Sequence, residues 1–175
     1  MLINCAGELR DYVREHMSEK RFEHCLRTEE TAVRLCGRYG VSAEDSGSEA
    51  GDLCCCSTAA ISHDIARELP EDLMLDYASR YMPLTDWEKK YPLLSHGKAG
   101  AYLLSTRFGI TSREICEAVR THTVAEPGMG TCAKIVYIAD YTEPGRSHLE
   151  PDFWDRYGDW SLNRLLLTVL EKTIT

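Results

Sequence analysis

Apolar residues recur every three or four positions along most of this chain, and that periodicity limits its fold more than any other feature. Near the start, Leu9, Tyr12, Val13, His16 and Met17 follow one face of a helix. No segment shows the strict apolar and polar alternation of a half-buried β-strand. We therefore predict an all-α protein.

Glycine, proline and capping residues divide the pattern into separate helices. Gly40 and Gly109 each follow an apolar stripe and predict a helix end, while Thr85 and Thr111 each begin a T-x-x-E capping box. After the first helix, the predicted helices lie at 19–39, 53–69, 70–79, in a short stretch after Thr85, and at 96–108, 111–121, 131–141 and 152–173.

A small, polar and acidic segment interrupts this pattern between residues 42 and 52, and the run Cys54-Cys55-Cys56 follows it. We interpret the residues near 42–56 as a polar insertion within one domain that spans 1–175, because a chain of this length usually forms a single core. The eight cysteines include no C-x-x-C pair, so we predict buried, reduced thiols instead of a zinc knuckle or a disulfide framework.

The net charge of -8 argues against a partner that is a nucleic-acid polymer, since such binders usually carry a basic surface. The first residues become charged too early for a signal peptide. No apolar run approaches the roughly 20 residues that a membrane helix needs. We expect a cytoplasmic protein with no membrane partner.

The sequence has six histidines, and one of them directly precedes an acid in the pair His63-Asp64. Asp140 ends a strongly apolar helical run, where a carboxylate is costly unless it meets a cation or several donors. Imidazole and carboxylate together suit zinc, iron or manganese. Each residue also has a plainer interpretation: a lone histidine is usually a hydrogen-bonded core or surface residue, and Asp140 can be a residue of a helix C-terminal turn or a partner for Arg146.

The ordered set of these residues resembles the HD-domain superfamily of metal-dependent phosphohydrolases, whose H…HD…D skeleton is matched by His24, His63-Asp64 and Asp140. His96 and His122 lie where members with two metals have two further histidines. The chain is most similar to the YqeK-type symmetrical diadenosine tetraphosphate hydrolases over about residues 5 to 173. The matching blocks are R-F-E-H from Arg21, H-D-I-A-R from His63, H-G-K-A-G-A-Y-L from His96, T-H-T from Thr121, E-P-G-M from Glu126 and A-D-Y-T-E-P-G-R from Ala139.

This resemblance implies a helical bundle of the HD-domain type, two metal ions, with iron favoured and manganese the alternative, and cleavage of the substrate into two ADP. Asp64 would bridge the metals, with His24, His63 and Asp140 on one and His96 and His122 on the other. Asp64 and Arg67 would be catalytic. The implied nucleotide-binding residues are Arg21, His24, Asp64, Ile65, Ala66, Arg67, His96, His122, Thr123, Asp140 and Arg146.

Some positions depart from the family pattern or make weaker candidates. Arg67 stands where the family usually has lysine, and Glu126 replaces a basic residue. Lys98 is a weaker candidate that we expect to lie exposed near the site. Tyr141, together with the C-terminal helix, is a candidate wall for an adenine pocket.

Two other functions compete with this hydrolase. One is another HD-type nucleotide phosphohydrolase, such as a nucleotidase; a cyclic-dinucleotide phosphodiesterase usually has a G-Y-P motif after its HD pair, and this chain has none. The other is a nucleotide-sensing module with little turnover, which the complete set of candidate ligands disfavours. A homodimer is a candidate assembly.

Overall fold

The computed structural model describes residues 5–41 and 52–174, except for the side chains of 5, 6 and 52–54. The predicted insertion therefore lies largely outside the described residues. The described residues contain no β-strand, which confirms the predicted all-α class. They form α1 (Cys5–His16), α2 (Glu19–Arg38), α3 (Asp52–Ser62), α4 (Glu71–Tyr81), α5 (Asp86–Lys90), a 3₁₀ turn (Pro92–Ser95), α6 (His96–Arg107), α7 (Arg113–Thr121), α8 (Thr131–Thr142), α9 (Phe153–Tyr157) and α10 (Leu162–Ile174).

Helix α8 forms the centre of the bundle and packs against α2, α3, α7 and α10. Its Ile135, Val136 and Ile138 side chains are completely buried, because helices cover α8 on several sides. Burying each such side chain contributes roughly 1.5–3 kcal/mol. The last turn of α8, which carries Asp140, thus belongs to a helix whose apolar side chains are firmly buried among its neighbours.

Two glycines let α6 approach α7 closely. A Cβ atom at Gly97 would lie 2.6 Å from the backbone oxygen of Arg120, and one at Gly100 would lie 3.0 Å from the Val119 side chain. Because neither residue has a side chain, the start of α6 lies directly beside the end of α7. This approach brings His96 next to His122.

Helix α3 is shorter than predicted, since it ends at Ser62 and not near Leu69. The chain then tightens into turns in which Ile65, Arg67 and Leu69 donate backbone hydrogen bonds to residues three positions earlier. His63 and Asp64 consequently lie just beyond the end of a helix.

The prediction for 152–173 is also wrong in part, because this stretch is divided into α9 and α10 with a break around Gly158. The start of α7 differs as well: Ser112, and not Thr111, is the N-cap that accepts from the Ile115 amide. The capping box at Thr85 is confirmed, with the Thr85 and Glu88 side chains each bonded to the other residue's backbone amide.

The six cysteines whose side chains are described are all buried and form no disulfide among themselves, as predicted. Within the described part of the chain, no helix is both long enough and apolar enough to cross a membrane.

Candidate metal centre

Separate helices bring the six predicted ligands together, mostly from helix ends. They are His24 in α2, His63 and Asp64 just after α3, His96 at the start of α6, His122 just after α7, and Asp140 in the last turn of α8. The ligand atoms of these six residues form two groups of three, in each of which all three atoms lie within 4.8 Å of one another, and the Cys25 thiol forms a third such group with His63 and Asp64.

The first group consists of His24, His63 and Asp140. Asp140 Oδ1 lies 3.0 Å from His24 Nε2 and 3.6 Å from His63 Nε2. The two Nε2 atoms are 3.1 Å apart. Three nitrogen and oxygen ligand atoms thus converge on one point from three helices.

The second group consists of Asp64, His96 and His122. Asp64 Oδ1 lies 3.1 Å from His96 Nε2 and 3.4 Å from His122 Nε2. Its other oxygen, Oδ2, faces the first group at 3.5 Å from His63 Nε2 and 3.7 Å from His24 Nε2. The Asp64 carboxylate therefore lies between the two groups, with one oxygen directed at each.

Hydrogen bonds at Nδ1 fix the orientation of all four imidazole rings. His63, His96 and His122 donate from Nδ1 to the backbone oxygens of residues three positions earlier, Ala60, Leu93 and Val119. His24 Nδ1 instead lies 3.1 Å from a carboxylate oxygen of Glu143. With Nδ1 engaged, each ring directs Nε2 toward the centre, as metal-binding histidines usually do.

The electrostatic field at the centre favours a cation. Burial opposes ionisation of Asp64, but His63, His122 and His96 outweigh it and hold the pKa of Asp64 well below its ordinary value. The pKa of Asp140 is also well below its ordinary value, because His24, His63 and Arg146 outweigh the effect of its burial. Burial lowers the pKa of His63, but Asp64 and Asp140 outweigh this and raise it to about 9.

The pKa of His96 shifts in the opposite direction from that of His63, because the effect of burial is the larger one at His96. The pKa of His96 is lowered by burial and by the neighbouring His122, against the effect of Asp64. A neutral imidazole is the form that binds a metal. The donor set, its geometry and its field therefore fit metal ions.

A cavity of ≈ 480 Å³ opens onto this centre. Arg21 enters it and donates to Asp64 Oδ2 at 2.8 Å, and Arg146 donates to the Asp140 side chain. Arg67 also lines the cavity, and its side chain has no ion-pair partner among the described residues. The Thr123 hydroxyl lies 3.2 Å from His96 Nε2. The lining also includes Tyr137, Tyr141, His148, Lys172 and Thr173.

Some of the candidate nucleotide-binding residues do not line this cavity with their side chains. The side chains of Ile65 and Ala66 are buried in the core, so only their backbone can meet a ligand. Lys98 is not exposed as predicted: it is buried and donates to Glu88 at 2.7 Å. The sequence reasoning also missed Glu143, a buried carboxylate that lies within the quoted A-D-Y-T-E-P-G-R block and contacts His24.

Comparisons with known proteins identify the family to which the chain belongs. Residues 21–145 match the family model described as the HD domain. The symmetrical bis(5'-nucleosyl)-tetraphosphatase of Bacillus subtilis is 29% identical over 93% of this chain and 82% of its own length. Its namesake from Halalkalibacterium halodurans is 28% identical over 97% of this chain and 85% of its own.

A solved structure supports the same grouping. A predicted HD superfamily hydrolase involved in NAD metabolism from Clostridium acetobutylicum has a TM-score of 0.84 at 32% identity, over 97% of this chain and 85% of its own. Relatives with hydrolase names over most of the chain confirm the predicted enzyme class.

Proposed function

The chain belongs to the HD-domain family, and from this premise we propose that it is a metal-dependent phosphohydrolase that cleaves diadenosine tetraphosphate symmetrically into two ADP. The observation that carries the proposal is the placement of Asp64 between two groups of ligand atoms, with one oxygen directed at each. We take the substrate from two relatives that match nearly the whole chain, both of which are named symmetrical bis(5'-nucleosyl)-tetraphosphatase.

The residues in the centre would hold two metal ions. His24, His63 and Asp140 would bind one ion, His96 and His122 the other, and Asp64 both. The imidazole and carboxylate donors of these six residues suit iron or manganese, and the family resemblance favours iron, with manganese as the alternative. When bound, such ions supply Lewis-acid activation of the phosphoryl group and of the attacking water.

The chain's own residues would bind and orient a polyphosphate. Arg67 offers a guanidinium that has no ion-pair partner among the described residues, and a guanidinium suits phosphate oxygens because its N–H groups can bind two of them at once. Arg21 and Arg146 add positive charge on the sides of the cavity near Asp64 and Asp140. Thr123 places a hydroxyl beside His96, where it can donate to a phosphate oxygen.

Symmetrical cleavage requires attack at one of the two central phosphorus atoms. The water oxygen bonds to that phosphorus, and the oxygen that bridges to the other central phosphorus leaves with the second ADP. One water and one substrate thus give two ADP. The departing ADP gains negative charge, which nearby guanidinium groups can stabilise.

Product analysis tests this proposal. Protein loaded with iron or manganese is incubated with diadenosine tetraphosphate, and the nucleotides are separated by anion-exchange chromatography. We expect two ADP per substrate consumed, and no turnover after a chelator has removed the metal. AMP plus ATP would contradict symmetrical cleavage, and tight nucleotide binding without turnover would favour a sensor.

A variant pair tests the cavity. Arg67→Met should raise KM for the dinucleotide about tenfold or more, because it removes a charge-assisted contact worth about 1.5–3 kcal/mol. Arg80→Met is the matched control: Arg80 is exposed on α4 and pairs with Asp76 outside the cavity. An equal change in KM for both variants would argue against a phosphate contact at Arg67.

A further inference from the structure

Glu143 is a buried carboxylate that belongs to neither group of ligands. It is 1% exposed and follows the end of α8. Its Oε1 lies 3.1 Å from His24 Nδ1, while its Oε2 accepts from Arg27 Nε and from the Gly145 amide, each at 2.6 Å. Both oxygens are therefore held, and the carboxylate has little freedom to turn away from His24.

This contact distinguishes His24 from the other three histidines. His63, His96 and His122 donate to neutral backbone oxygens. A carboxylate attracts the Nδ1 proton more strongly than a carbonyl does, and it makes the opposite nitrogen of the ring a better donor to a metal. Arg27 offsets part of the charge of Glu143, but it also holds Oε2 of the carboxylate while Oε1 contacts the ring.

We infer that Glu143 is a positioning residue that makes the group of His24, His63 and Asp140 the tighter of the two metal sites. The inference rests on the proposed metal-dependent function. It goes beyond that function because it assigns different affinities to two sites whose ligands are chemically similar. Among the described residues, no such carboxylate bonds to the histidines of the other group, whose Nδ1 atoms donate to the backbone oxygens of Leu93 and Val119.

Titration of the metal-free protein with Mn²⁺ in a calorimeter, without nucleotide, tests the inference. We expect two binding steps of different affinity in the wild type. Glu143→Gln keeps the size of the side chain but removes its charge, and it should weaken the tighter step about 10–100-fold. The weaker step should stay within about twofold, and the thermal melt shows whether the variant is folded.

The matched control is Glu29→Gln, which removes another carboxylate that pairs with an arginine. Glu29 is held by Arg10 at 2.6 Å and belongs to neither group of ligands. Both binding steps should remain as in the wild type. Equal weakening of both steps in Glu143→Gln would indicate a general structural role and overturn the inference, as would two unchanged steps.

A second background assigns the steps to the two groups. His96→Ala should remove the weaker step, and adding Glu143→Gln should then weaken the remaining step about 10–100-fold. If Glu143→Gln does not fold, Glu143→Asp decides: its shorter side chain withdraws the carboxylate from His24 Nδ1, so the tighter step should weaken by about three- to tenfold, and an unchanged step would refute the inference. A wild type that binds no Mn²⁺ would refute the metal-dependent function itself, whereas two steps unaffected by these variants would refute only the role of Glu143.

Discussion

In the part of the chain that the structure describes, charged side chains are buried in two places, which differ in how the charge is compensated. Glu88 and Lys98 form an ion pair at 2.7 Å, and both are less than a tenth exposed. Glu88 also accepts from the amide and hydroxyl of Thr85, and Lys98 donates to the Pro83 oxygen. Each charge in this pair is matched by partners from the protein itself.

The candidate metal centre lacks this balance. Four Nε2 atoms and two carboxylates converge there, with His96 and His122 Nε2 only 2.8 Å apart. Arg21 and Arg146 donate to the two carboxylates, and Arg146 also lies 3.4 Å from His24 Nε2, but the two imidazole pairs still face each other. A self-sufficient buried pair is a structural feature, whereas converging acceptors indicate a binding site for a cation.

The largest expected effect is on metal binding and activity, which we expect to depend on the metal centre and not on the Glu88–Lys98 pair. Asp64→Ala should abolish Mn²⁺ binding at both sites and reduce the rate of diadenosine tetraphosphate hydrolysis on the order of 10³-fold or more, since several kcal/mol of transition-state stabilisation depend on the ions. Asp76→Ala is the control, because Asp76 is partly exposed, pairs with Arg80 on the same helix and belongs to neither group of ligands. Near-full activity in Asp64→Ala would show that the centre is assigned wrongly.

The next effect should appear in stability and not in metal binding. Lys98→Met leaves Glu88 buried without its cation, so the free energy of unfolding should fall by about 3–5 kcal/mol. Lys89→Met removes an exposed lysine that pairs with Asp86, and it should change the free energy of unfolding by less than about 1 kcal/mol. Both variants should keep two Mn²⁺ steps. Loss of a step in folded Lys98→Met would mean that the two buried places are coupled.

A smaller effect tests how packing positions the centre. Gly97→Ala places a Cβ against the Arg120 backbone oxygen, and a backbone atom cannot turn aside. We expect a loss of stability of about 1–3 kcal/mol and a weaker Mn²⁺ step at His96 and His122. Gly37→Ala is the control, since nothing lies within 4 Å of its added Cβ. Should Gly97→Ala bind Mn²⁺ normally, close approach of α6 and α7 would not be what holds this pair.

The same comparison shows what could be predicted from sequence. The helical class was predictable because periodicity is a local feature, and the six converging residues were predictable because their order along the chain resembles that of the HD-domain superfamily. The end of α3 at Ser62 was not, since the turns after it depend on hydrogen bonds that no apolar pattern encodes. Lys98 was misplaced because its partner Glu88 lies on another helix, and the contact of Glu143 with Arg27 spans 116 residues.

The smallest expected effect is the pH dependence of the Glu88 pair. Burial alone would raise the pKa of Glu88, but the hydrogen bonds from Lys98 and Thr85 outweigh it and lower the pKa. The pair's contribution to stability is thus complete above the ordinary glutamate pKa of about 4.3 and is lost as the pH falls from there through the lowered value. The difference in unfolding free energy between wild type and Glu88→Gln should therefore be constant from pH 7 to about 5 and shrink below that.

Taking this difference cancels the titration of the metal centre, which both proteins share, so only Glu88 and its partners contribute. Asp86→Asn serves as the control on the same short helix, because Asp86 is exposed and its pair with Lys89 is open to solvent. The difference in unfolding free energy between Asp86→Asn and the wild type should be small and nearly independent of pH over the same range. If the difference in unfolding free energy between wild type and Glu88→Gln stays constant down to pH 3, the pKa of Glu88 is not lowered. Lys98 and Thr85 would then not compensate the buried charge of Glu88.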